Sequence, residues 1–78
     1  MKNNFHLDIS SNLDYEGMVV DIMYKHDILA TLNQDKGIDK IEIIIFSPTH
    51  SDNWSFSYEE FLQILQKAKE TLIKANET

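Results

Sequence analysis

Residues 38–47, I-D-K-I-E-I-I-I-F-S, decide how the rest of the chain has to be arranged. Within them, residues 41–46 hold one polar side chain among six, and four of the other five are isoleucines, so the segment reads as a strand that is apolar on both faces. Ile41, Ile43 and Ile45 project to one side and Glu42, Ile44 and Phe46 to the other. A strand face left to water is not expected to carry Ile44 and Phe46, so something should cover that side as well.

Working outward, residues 5–10 alternate apolar and polar, with Phe5, Leu7 and Ile9 on one face. Asn12, Asp14 and Gly17 supply turn chemistry. Alternation resumes over residues 18–24, where Met18, Val20, Ile22 and Tyr24 oppose Val19, Asp21 and Met23. Lys25, His26 and Asp27 form a tight connection that lacks the usual glycine. Residues 28–33 give a third strand, with Ile28, Ala30 and Leu32 on one side and Leu29 and Thr31 on the other. Gln34-Asp35-Lys36-Gly37 turns the chain into the isoleucine strand, and Pro48 ends it.

After a polar connection, Ser57 can cap a helix, with Glu60 completing a capping box and Phe56 and Phe61 placed as a hydrophobic staple. Phe61, Leu65, Ala68 and Leu72 continue an apolar stripe at helical spacing, which predicts a helix over residues 58–74. The expected fold is a single α+β domain over residues 1–78: a four-stranded antiparallel meander with one C-terminal helix packed on one face, ββββα.

Thirteen acidic residues against seven lysines and no arginine give a net charge of -6. That field repels polyanions and lacks the side chain best suited to phosphate, which argues against nucleic acid and points to a basic protein partner. Cysteine is absent, removing disulfides, thiolate metal sites and a cysteine nucleophile together. No secretory leader or membrane span is read in the chain, and a cytoplasmic location is expected.

The helix can cover only one sheet face, and the face suited to it carries Phe5, Leu7, Ile9, Val20, Ile22, Ala30, Leu32, Ile41, Ile43 and Ile45. The other face is expected to present Val19, Met23, Leu29, Ile44 and Phe46 beside Asp8, Asp21 and Glu42. Three readings of that face stand side by side: a docking surface for another protein, a homodimer seam, and scattered aliphatics on an ordinary surface.

His6 with Asp8 and His50 with Asp52 fall near one another in sequence, but nothing in the spacing brings three or four metal ligands together. His26-Asp27 reads as turn chemistry. No nucleophile, phosphate-loop or metalloprotease pattern is present, so neither catalysis nor a cofactor is expected. Trp54 reads either as a plug between the sheet end and the helix start or as an interface anchor.

The runs L-D-I-S-S-N-L-D-Y-E-G-M-V-V-D-I (7–22), A-T-L-N-Q-D-K-G (30–37), I-E-I-I-I-F (41–46) and F-L-Q-I-L-Q-K-A-K-E (61–70) resemble a group of small bacterial cytosolic proteins. Some of that group are encoded beside polymorphic toxin modules and act as their immunity proteins. The resemblance implies stoichiometric occlusion of a cognate toxin domain. Asp14, Tyr15, Glu16, Asp21, Glu42 and Trp54 would act with the apolar face residues in that contact.

Overall fold

A computed structural model describes residues 4–77. The order is β1 (Phe5–Ser11), β2 (Met18–Tyr24), β3 (Asp27–Asn33), β4 (Glu42–Ile45) and α1 (Tyr58–Ala75). The strands form one antiparallel sheet in the order β1-β2-β3-β4, followed by the single helix, so the ββββα meander expected from the alternation is the fold. Among the described residues no helix is long and apolar enough to cross a membrane.

The helix begins where its cap requires. Ser57 Oγ accepts the Glu60 N–H at 3.2 Å, and the Phe56 and Phe61 rings meet at 4.9 Å across the first turn. Ile64, Ala68 and Leu72 bury one face of α1 against Phe5, Val20, Ile22, Ala30 and Leu32. Phe5, Tyr24, Trp54, Phe56 and Phe61 close one end of this core as an aromatic cluster with neighbouring centroids 4.8–6.4 Å apart.

At the opposite end Asn76 caps the helix and fastens it to the sheet. Its Oδ1 accepts the Met18 N–H at 2.8 Å, and its Nδ2 donates to the Met18 and Leu72 carbonyls at 3.1 and 3.0 Å. Val20 pairs with Leu32, so Met18 lies one repeat past the end of β3, with its ladder groups pointing where no strand continues. The Asn76 amide stands in for the missing peptide. Gly17 leaves room for it, since a Cβ there would sit 2.6 Å from Oδ1.

The isoleucine strand is the edge strand that the meander order makes it, but the helix does not reach over it. No Cα of α1 comes within 8 Å of a Cα of β4, whereas β1, β2 and β3 are all reached. The reason is width: a helix about 10 Å across cannot roof four strands spaced at about 4.8 Å. Ile43 and Ile45 therefore do lie on the helix side, as their parity requires, but remain 41% and 58% exposed.

Two further expectations are corrected by a β-bulge. Ile22 pairs with Ala30 while Met23 pairs with Ile28, leaving Leu29 as an extra residue in β3. Leu29 joins the helix-side core, 2% exposed, and Ile28 takes the outward place expected for Leu29. Val19 does lie on the face turned from the helix, but it is 1% exposed. It sits beside the end of β3, where the Glu16 N–H donates to Asp35 Oδ2 at 3.2 Å and draws the β1–β2 loop towards the β3–β4 turn.

Candidate protein-docking surface

Cross-strand pairing sets the open face in rows. One row runs His6, Met23, Ile28, and the next Asp8, Asp21, Thr31, Ile44. The β1 half of this face is polar. The β4 half is apolar, with Ile28, Ile44 and Phe46 exposed beside half-buried Met23. Ile44 and Phe46, at 43% and 39% exposure, stand clear of the chain's own helix as their sequence positions required. With Ile43 and Ile45 on the other side, the apolar surface wraps around the β4 edge.

The acidic residues border this strip without being drawn into it. Asp21 accepts the Thr31 hydroxyl at 2.6 Å, which fixes its carboxylate toward β3. Glu42 binds Lys36 Nζ at 2.8 Å, and this contact raises the lysine's pKa above its usual value. Both partners are largely exposed, so the pair adds little to stability. Asp14 and Glu16 are exposed on the β1–β2 loop and Tyr15 is half-buried between them. That loop also presents Leu13 fully to solvent.

Of the residues expected to meet a partner, Met23, Ile44 and Phe46 are brought together, with Asp21 and Glu42 at their margin. Asp14, Tyr15 and Glu16 form a separate acidic tip, and Val19 and Leu29 are withdrawn into the interior. Trp54 is half-buried, its indole N–H donating to the Phe46 carbonyl at 2.8 Å and its ring 6.4 Å from both Tyr24 and Phe56. That geometry realises the plug reading. Sequence reasoning missed Ile28 because alternation cannot register an inserted residue, and missed Leu13 because it sits in a turn rather than a periodic segment.

One polar cluster is worth weighing as chemistry. Asp27 accepts the Thr49 hydroxyl and, at 3.3 Å, the Thr49 N–H, while His50 Nε2 lies 3.8 Å from its carboxylate. The Thr49 side-chain hydrogen bond above all, helped by the Thr49 backbone N–H, holds the Asp27 pKa below the usual carboxylate value. Thr49 gives its proton to the carboxylate rather than to His50, the reverse of what a nucleophile needs, so the cluster is an anchor for the β4–α1 loop. His50 thus pairs with Asp27 rather than Asp52, and His6 lies 3.8 Å from Asp8. Among the described residues no group of three or more metal-binding side chains converges.

Compared with family models, with curated proteins and with solved structures, the chain gives no match.

Proposed function

We propose that this chain is a non-catalytic binding protein that neutralises a basic toxin domain in the bacterial cytoplasm by docking on it. The observation that carries the reading is the open sheet face, where Met23, Ile28, Ile44 and Phe46 form an apolar strip bordered by Asp21 and Glu42. Apolar residues beside carboxylates suit a partner that is greasy at the centre of its contact and positive around it. The exposed tip of Leu13, Asp14 and Glu16 would extend the acidic border. Where the toxin is a nuclease, these carboxylates stand in for substrate phosphates and block its cleft.

The test is co-expression with the carboxyl-terminal domain of a toxin-like polypeptide encoded beside this chain. The reading expects restored growth, a 1:1 complex in calorimetry, and an affinity that falls as salt rises. Met23→Lys and Glu16→Lys should each weaken the complex about tenfold or more, while leaving the fold intact. Unimpaired toxicity in the presence of the folded chain would refute it.

A further inference from the structure

We infer that the β4 edge pairs with the β4 edge of a second copy of this chain, joining two sheets into one of eight strands. The Phe46 N–H donates inward to the Leu29 carbonyl at 2.9 Å. By the two-residue period of an antiparallel ladder, Ile44 and Glu42 also turn their peptide groups toward β3. The N–H and C=O groups of Ile43 and Ile45 therefore point outward, on the free side of the strand. A two-fold axis through Ile44 sets Ile43 opposite the second copy's Ile45 and Ile45 opposite its Ile43. That register satisfies all of these groups with four hydrogen bonds.

The same register is complementary in its side chains. Isoleucines meet isoleucines on both faces, and Glu42, the strand's one charged residue, falls opposite Phe46 rather than another carboxylate. Glu42 is already matched by Lys36, so no like charges oppose each other along the seam. Neither a lysine nor a proline interrupts residues 42–46, the usual devices that keep an edge strand single. Stacking the two open faces instead would crowd the Asp8 and Asp21 carboxylates of one copy against the other's sheet. Edge pairing keeps both helices on one side, where each flanks a groove of about 500 Å³ lined by Leu32, Ile38, Ile41, Ile43 and Leu65. It also leaves both open faces turned the same way, free for a partner.

A four-residue seam is small beside the roughly 1,200–2,000 Å² of a standard interface, so the dimer should be micromolar. Sedimentation velocity over roughly 1–500 µM tests it on the chain alone, independently of any toxin. The expected result is a monomer–dimer equilibrium that strengthens with salt, because screening relieves the repulsion between two chains of charge -6. Ile44→Lys and Ile44→Glu, at an exposed position, should each dissociate the dimer about tenfold or more, and an equimolar mixture of the two should restore it. Ile45→Pro, which removes an outward N–H without touching the β3 ladder, should also give monomer. A wild-type chain that stays monomeric throughout would overturn the inference and leave the edge to a strand of another protein. Variants whose mixture fails to reassociate would overturn the Ile44-centred register.

Discussion

Replacing Asn76 by alanine should loosen the whole domain, because one side chain closes the sheet and the helix at once. Three hydrogen bonds are lost, of 2.8, 3.1 and 3.0 Å, two of them to Met18 ladder groups that lie beyond the end of β3. At a net 0.5–1.5 kcal/mol each, the cost is about 2–4 kcal/mol, a large part of the roughly 4–12 kcal/mol expected of a domain this size. Gly17→Ala should act through the same contact. Its Cβ would stand 2.6 Å from Asn76 Oδ1, the end of an otherwise flexible side chain that is here held in place by Met18 and Leu72. Urea unfolding followed by the fluorescence of Trp54, the sole tryptophan, measures both variants and their combination. In the Asn76→Ala background the Gly17→Ala change should cost almost nothing, or stabilise by up to about 1 kcal/mol through the unfolded chain. Equal costs of Gly17→Ala in the two backgrounds would refute the shared-contact account.

Other expectations follow from the bulge, the turn and the loop anchor. Leu29→Ala should cost about 2–5 kcal/mol and Ile28→Ala under about 1 kcal/mol, a contrast in urea midpoints that reverses if Leu29 is the outward residue. Lys25 has a φ of 56°, the only positive φ at a described non-glycine residue, so Lys25→Gly should raise stability by a fraction of about 1 kcal/mol in thermal unfolding. Asp27 has a folded pKa below its unfolded one. Its contribution is therefore complete above the unfolded value and disappears as pH falls through the folded one. In an acid titration followed by NMR, the Thr49 and His50 resonances should shift as Asp27 protonates, and Asp27→Asn should abolish that step.

The topology was legible because each element announces itself locally. Alternation marks β1 and β2, a glycine turn introduces β4, and the Ser57–Glu60 cap with its phenylalanine staple starts the helix within a residue of where it is found. What could not be read was set by tertiary geometry. The inserted residue at Leu29 leaves no periodic trace, so Ile28 and Leu29 exchange roles. The isoleucine run reads as apolar on both faces, but periodicity does not report how far one helix reaches across the sheet, so the exposure of Ile43 and Ile45 could not be read. Val19 shares a face with exposed residues yet is 1% exposed, and no local pattern encodes what tertiary structure does at that position. Exposure was therefore read correctly for Ile44 and Phe46, where position along the strand suffices, and misjudged where loops or bulges intervene.

The most direct test is hydrogen exchange along β4, measured residue by residue by NMR in dilute protein. With the helix reaching only β1, β2 and β3, and the strand edge free, the Ile43 and Ile45 amides should exchange quickly while Ile44 and Phe46 are protected by β3. Uniform slow exchange of all four in the dilute monomer would mean that the chain already covers its own edge.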